Sequence, residues 1–197
     1  MSSFVIVFIT ENGPIQIKLV DITWPNPAGC ECVCELLKNR AREHRQKLGG
    51  DVVGMNCFRG PETMMPYLKK VRKALKCHVA ALPINYRTTK KNPTFFNLPD
   101  RNGCKFHAPH GRTFPTALDP LQCNRYEIRK FAKEAFKLGI NYLGVCCGAN
   151  PMLIREVAEA VGLTVPASKY RENMSNHFMY GTNKRIPKHM KSYRKKA

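Results

Sequence analysis

The chain has 197 residues, enough for one domain with a substantial hydrophobic core. No apolar stretch approaches the roughly 18 residues of a membrane-spanning helix, and the apolar run at 4–9 lacks the flanks of a signal peptide. We therefore expect a soluble, cytoplasmic protein whose nine cysteines are reduced and available for metal binding or thiol chemistry.

The formal net charge of +19 is concentrated in a few basic runs, which attract polyanions in general. These runs lie at 38–47, 68–76, 89–91 and 184–196. No recognisable nucleic-acid motif accompanies them, and aromatic residues are not interleaved with them. Solvated helix faces are the favoured interpretation, and nucleic acid is not expected as a partner.

The first half of the chain predicts alternating strands and helices. Apolar runs predict strands at 4–9, 51–57 and 77–85, and helical periodicity predicts helices at about 29–48 and 62–76. Gly49 and Gly50 end the first helix, and Pro66 places the regular part of the second nearer Tyr67. A long irregular connection follows at 86–123, and loops of that length are usually functional.

The second half contains clearer helix boundaries. Asn124 with Glu127 predicts a capped helix that ends at Gly139, and the run 140–147 predicts a strand. Asn150 and Pro151 begin a last helix that ends at Gly162. This order predicts an α/β fold with parallel strands, in which chemistry collects at the carboxyl ends of the strands.

Three cysteines, Cys57, Cys146 and Cys147, lie at such strand ends. Consecutive strand residues point to opposite faces, so Cys146 and Cys147 reach one metal only if the strand breaks, and Gly148 permits that break. Three thiolates with an open fourth position are typical of a catalytic zinc that keeps a substrate thiolate nucleophilic. Reduced core cysteines explain the spacing equally well.

The segments DVVGMNC at 51–57 and INYLGVCCGANPMLIREVAEAVG at 140–162 resemble paired motifs of the homocysteine S-methyltransferase family. The intervening sequence is similar, more narrowly, to the betaine-homocysteine S-methyltransferases, and the similarity runs over 28–168. The resemblance implies a (β/α)₈ TIM barrel and a zinc ion bound by Cys57, Cys146 and Cys147. It also implies methyl transfer from betaine to homocysteine, giving methionine.

Two departures from the family pattern are visible. Val145 stands where the family usually has a glycine, which predicts a narrower approach to the metal. The resemblance covers only about the last four β/α units, so 1–168 is expected to form the C-terminal half of the barrel and 169–197 a basic, loosely ordered tail. An open half barrel predicts a truncated product or incomplete gene model of doubtful activity alone, completed by another subunit or a second copy.

Several other cysteines, histidines and aromatic residues are weaker candidates for a functional site. Cys30, Cys32 and Cys34 make a poor ligand set on one helix, and Cys77, Cys104 and Cys123 are expected to be structural. His78, His107 and His110 are not needed for transfer from a thiolate. Tyr86, Phe95 and Phe96 either pack the long loop or face a quaternary ammonium donor. The alternative function is a non-catalytic zinc-binding remnant that associates with a partner subunit or polyanion.

Overall fold

A computed structural model describes residues 2–9, 16–23, 52–100, 111–177 and 181–182. The chain divides into two compact units, Met1–Leu163 and Thr164–Ala197. In the second unit, the described residues include the short 3-10 turns Pro166–Tyr170 and Met174–Asn176. The predicted domain boundary at 168 and the loosely ordered tail stay predictions. The predicted helix at 29–48 lies outside the described residues.

Five strands of the first unit form one sheet. They are β1 (Ser2–Ile9), β2 (Gln16–Thr23), β3 (Val52–Asn56), β4 (His78–Leu82) and β5 (Tyr142–Leu143), in the order β2-β1-β3-β4-β5. The last three strands are parallel to one another. The apolar residues of β3 and β4 are largely buried, which is typical of a parallel sheet that is covered on both faces. This part confirms the α/β prediction, whereas the complete barrel stays a prediction.

The prediction of uniformly parallel strands is wrong at the N-terminal end of the chain. Strand β1 is antiparallel to β2, with Ile9 opposite Gln16, and it is also antiparallel to β3. Only residues 10–15 join β1 to β2, and a parallel crossover needs a dozen residues or more. The pair Asn12-Gly13 between two apolar runs is a hairpin signal from which β2 could have been predicted.

In the described part of the chain, the α-helices that pack with the parallel strands are α1 (Pro61–Ala74), α2 (Arg125–Lys137) and α3 (Pro151–Ala160). The predicted capping box at Asn124 and Glu127 is present, and the Asn150 side chain accepts the backbone N–H of Leu153. Positive φ angles at Gly139 and Gly162 confirm the predicted stops. Helix α1 begins earlier than expected, because Pro66 lies near its start and removes a single backbone hydrogen bond there.

Among the described residues, the buried side chains form three clusters. The first lies between α1, α2 and the sheet and includes Leu68, Val79 and Phe131. The second lies around α2 and α3 and includes Ile128, Val145 and Leu153. The third lies beyond the carboxyl end of β4, where Phe95, Leu98 and Leu118 of the connection pack on Ile84, with Cys57 and Cys146 against them. No helix among the described residues is long and apolar enough to cross a membrane.

Candidate metal centre

Cys57 lies directly after β3, at a tight backbone turn. Its φ angle is 64° and that of Phe58 is 63°, which is left-handed backbone that costs a non-glycine residue about 1–3 kcal/mol. The Cys57 N–H donates to the carbonyl of Leu82 at 2.9 Å, and the Cys57 carbonyl accepts the N–H of Arg59 at 2.7 Å. The end of β4 therefore holds this turn in place and fixes where the thiol lies.

Cys146 and Cys147 lie beyond the end of β5, which stops at Leu143 and is shorter than the predicted strand at 140–147. The Cys146 N–H donates to the carbonyl of Pro83 at 2.7 Å, and the Cys147 carbonyl accepts the N–H of Asn85 at 2.8 Å. Gly148 then turns the chain with a φ of 78°. The two cysteines are therefore on irregular backbone, and both thiols reach the same place.

The three sulfur atoms lie within 4.8 Å of one another. Cys57 Sγ is 3.4 Å from Cys147 Sγ, and Cys146 Sγ is 3.9 Å from Cys147 Sγ. Tetrahedral coordination with metal–sulfur bonds of about 2.3 Å places sulfurs about 3.8 Å apart, so the group can hold one ion of the size of zinc. Cys147 is exposed while the other two thiols are half-buried, so the group is open to solvent on one side.

The pKa values of the three thiols are shifted in different directions. The Cys57 thiol stabilises the Cys146 thiolate as a hydrogen-bond donor and lowers the pKa of Cys146 to about 6. The pKa of Cys57 is raised chiefly by the same hydrogen bond, and that of Cys147 chiefly by burial. One negative charge is therefore held among three sulfurs, and a bound dication would favour deprotonation of the other two.

The donor set is made of sulfur alone. Among the described residues, no histidine or carboxylate joins the group. Thiolates favour soft or borderline ions such as zinc, and three protein donors leave a fourth coordination position for another ligand. The residues present therefore fit a metal such as zinc with one coordination position left for another ligand.

An aromatic group lies beside the thiols. Tyr86 stacks on Phe95 with ring centroids 5.9 Å apart, Phe95 is buried, and Phe96 lies 5.4 Å from Phe58. Burial raises the pKa of Tyr86, with smaller contributions from Asp119 and Cys147. Packing of the loop accounts for Phe95, whereas the half-buried Tyr86 and Phe96 retain both interpretations.

The other predicted candidates lie elsewhere. Cys77 and Cys123 are buried in the first and second core clusters. His78 is exposed and makes an edge contact with Tyr142. Val145 is buried in the second core cluster, whereas Cys57 and Cys146 pack against the third, and the narrower approach to the metal stays a prediction. Cys30, Cys32, Cys34, Cys104, His107 and His110 lie outside the described residues.

One residue beside the thiols was not predicted from the sequence. Asn85 is buried, and its side-chain Nδ2 donates to the carbonyl of Gly148 at 3.1 Å. An amide side chain within the apolar run 77–85 was the available signal. The role of Asn85 depends on a hydrogen bond to Gly148, which lies 63 positions later in the chain, and local sequence pattern does not reveal such a contact.

Comparison with known proteins gives a consistent family assignment. The homocysteine S-methyltransferase family model matches residues 33–161. Betaine–homocysteine S-methyltransferase 1 of Danio rerio is 33% identical over 142 residues, which are 69% of this chain and 32% of that protein. The corresponding protein of Pongo abelii is 32% identical over 133 residues, which are 62% of this chain and 30% of that protein.

A relative named for a different methyl donor is equally similar. The S-methylmethionine–homocysteine S-methyltransferase of Pongo abelii is 32% identical over 133 residues, covering 62% of this chain and 33% of that protein. The aligned part of this chain therefore spans about a third of the length of these relatives.

Proposed function

Because this chain belongs to the homocysteine S-methyltransferase family, we propose that it serves in methyl transfer to the sulfur of homocysteine, with zinc bound by Cys57, Cys146 and Cys147. The observation that carries the proposal is the approach of these three sulfurs to within 4.8 Å of one another. A zinc ion bound there would accept the homocysteine thiolate as its fourth ligand and keep it nucleophilic. The protein residues hold the three thiolates and leave one side of the group open.

The sulfur of homocysteine then attacks a methyl group on an onium centre. The new sulfur–methyl bond forms as the bond from methyl to the donor atom breaks, and the donor leaves with the electron pair of that bond. With betaine, the expected donor, the products are methionine and dimethylglycine. S-methylmethionine has the same reactive feature, a methyl group on a positively charged heteroatom, and the names of the relatives support both donors.

The relatives are about three times as long as the part that aligns. We therefore include in the proposal a completing subunit or a second copy that supplies further substrate contacts. A cytoplasmic location is also part of the proposal, because a reducing compartment keeps the three thiols free for metal.

Replacement of single cysteines tests the metal centre. We expect about one zinc per purified chain, and loss of zinc in Cys57→Ser and Cys147→Ser because each change removes one of three thiolates. Cys77→Ser is the matched control, since Cys77 is buried in the first core cluster. Zinc content equal to wild type in both site variants would refute the ligand assignment.

Turnover is tested separately. Methionine formation from homocysteine should depend on zinc, and parallel reactions with betaine and with S-methylmethionine identify the donor. Product formed at the same rate after zinc removal would contradict the proposed chemistry.

A second candidate function is association with a polyanion without catalysis. The observation that favours it is a pair of exposed lysine stripes on two neighbouring helices, which share the first core cluster. These lysines are Lys69, Lys73 and Lys76 in and after α1, and Lys130, Lys133 and Lys137 in α2. A spacing of three or four residues places Lys69 with Lys73 on one side of α1, and Lys130, Lys133 and Lys137 on one side of α2, whereas Lys76 follows the end of α1.

Salt-dependent binding of a nucleic acid probe tests this candidate. Replacing Lys69, Lys73 and Lys76 by glutamate should abolish binding, whereas Lys90→Glu with Lys91→Glu, two exposed loop lysines, should weaken it much less. Binding that is absent in wild type at low salt would exclude this candidate.

A further inference from the structure

A single buried residue holds the backbone that carries the exposed cysteine. Asn85 lies three residues after β4 and is 1% exposed. Its backbone N–H donates to the Cys147 carbonyl at 2.8 Å, and its side-chain Nδ2 donates to the Gly148 carbonyl at 3.1 Å. Two consecutive carbonyls of the turn after the cysteine pair are therefore bound by one residue from a neighbouring strand end.

The same turn has no free space on the side of Asn85 and Tyr86. A Cβ at Gly148 would lie 2.9 Å from the Cζ and Oη atoms of Tyr86 and 3.2 Å from the Cβ of Asn85. The backbone there is also left-handed, with a φ of 78°. Glycine is thus required by both conformation and space, and the turn is held against Asn85 and Tyr86 rather than free to move.

The oxygen atom of the Asn85 side-chain amide is in a different situation from the nitrogen. Its Oδ1 is buried and has no hydrogen-bond partner among the described residues. An unpaired buried acceptor lowers stability, and an apolar side chain of similar size would avoid that loss. The side-chain amide therefore makes one hydrogen bond, to the turn beside Cys147, at the expense of one unpaired buried acceptor.

We propose that Asn85 is a positioning residue of the metal centre, which fixes the Cys147–Gly148 peptide so that the Cys147 thiolate faces those of Cys57 and Cys146. The proposal rests on the zinc site of the proposed function. Cys147 depends most on such support, because it is the exposed member of the three and precedes a glycine turn. Hydrogen bonds to the groups that carry metal ligands typically change metal affinity by about 10–100-fold.

The test uses Co²⁺ alone as a coloured substitute for zinc, added to the metal-free full chain. Thiolate-to-cobalt absorption reports how many thiolates bind, and the titration gives the affinity. The variants are Asn85→Leu, which keeps a similar volume without polar atoms, and Asn85→Ser, which keeps a small polar group if leucine does not fold. Asn92→Ala, a loop asparagine with no side-chain hydrogen bond among the described contacts, is the control.

We expect both Asn85 variants to bind Co²⁺ about 10–100-fold more weakly than wild type, with absorption reduced toward that of two thiolates. The metal-free unfolding midpoint of each variant, measured beside that of Asn92→Ala, separates a loss of stability from the loss of metal affinity, and the Co²⁺ titration is done well below that midpoint. Wild-type affinity and full thiolate absorption in the Asn85 variants would overturn the positioning role while leaving the zinc site intact. Wild-type protein without a three-thiolate spectrum would overturn the zinc site itself, and this role with it.

Discussion

Cys57, Phe58 and Gly148 all have left-handed backbone, and all three lie within or beside the thiol group. For Cys57 and Phe58 this conformation is strained, because a Cβ is present. Hydrogen bonds to residues at the end of β4 and just after it hold both turns. The Cys57 N–H donates to the carbonyl of Leu82, and the carbonyl of Cys147 accepts the N–H of Asn85. At the scale of single residues, the thiols lie on turns with left-handed backbone, and hydrogen bonds to the end of β4 hold these turns in place.

Gly148→Ala is predicted to weaken both the fold and metal binding. The added Cβ costs about 1–2 kcal/mol in left-handed backbone and also meets the Tyr86 ring at 2.9 Å. Unfolding midpoints and zinc affinities of Gly148→Ala and of the double variant with Tyr86→Ala measure the two contributions. The double variant should regain part of the lost affinity.

Gly139→Ala is the matched control for this prediction. Its φ of 77° is nearly the same as that of Gly148, but a Cβ there would meet nothing within 4 Å. The two alanine variants should therefore share the backbone cost and differ by the contact with Tyr86. Equal zinc affinities in the two variants would contradict the close contact at Gly148.

At the scale of elements, the start of α2 is tied to the chain segment that follows β4. Arg87 Nε and Nη2 donate to the two carboxylate oxygens of Glu127 at 2.7 and 2.6 Å, and Glu127 also accepts the Asn124 N–H. The hydrogen bonds from Arg87 are the main cause of the lowered pKa of Glu127. A lowered carboxyl pKa stabilises the fold above the ordinary pKa of about 4.5, and this stabilisation is lost as the pH falls below it.

Glu127→Gln should therefore lower the free energy of unfolding at pH 7, and the difference from wild type should shrink as the pH falls below about 4.5. Both side chains are more than a third exposed, at 44% and 37%, so the difference at pH 7 should be below about 1 kcal/mol. Urea unfolding at several pH values measures it. Glu134→Gln, on an exposed position of the same helix, is the control, and a difference independent of pH would contradict the role of the Glu127 charge.

A second link between elements joins α2 to α3. Arg129 forms ion pairs with Glu156 and Glu159, Arg155 pairs with Glu159, and Glu156 is 2% exposed. Removing Glu156 takes the most buried carboxylate out of this group and leaves Arg129 with its longer pairing to Glu159 at 3.9 Å. Because part of the Arg129 charge stays compensated, Glu156→Ala is predicted to destabilise the protein by about 1–3 kcal/mol in urea unfolding. Glu134→Ala should change little, and a loss of similar size in both would contradict the network.

The elements that could be predicted from sequence are those with local signals. The caps at Asn124 and Asn150 act within three residues, and the glycine stops act at single positions. The pairing of β1 with β3 is different, because it depends on contacts across more than forty residues. Strand-end positions singled out the three cysteines, and the family resemblance implied that they bind one ion. Asn85 was missed because its partners are distant in the chain.

At the scale of the whole molecule, metal binding should couple to stability. The ligands come from the ends of two parallel strands, β3 and β5, so the ion links segments about 90 residues apart. Zinc at about 100 times its dissociation constant adds about 2.7 kcal/mol, which corresponds to roughly 5–10 °C in the unfolding midpoint of a domain this size. Thermal unfolding with and without zinc measures the shift, and Cys147→Ser should lack it.

The sheet itself combines two parts of different type. Its parallel part, β3 to β5, carries the thiols, while the antiparallel β1–β2 pair occupies the other edge of β3. The described contacts of the thiols come from the ends of the parallel strands and from residues just after them, which all lie in the first unit. Contacts to the rest of the substrate are the part that the proposed completing subunit or second copy would provide.

X-ray absorption at the zinc edge tests the central claim most directly. The account predicts three sulfur neighbours at about 2.3 Å and one lighter neighbour in the zinc-loaded protein. Addition of homocysteine should replace the lighter neighbour by a fourth sulfur. Fewer than three sulfur neighbours before homocysteine, or an unchanged spectrum after it, would contradict a three-cysteine zinc centre that activates the homocysteine thiol.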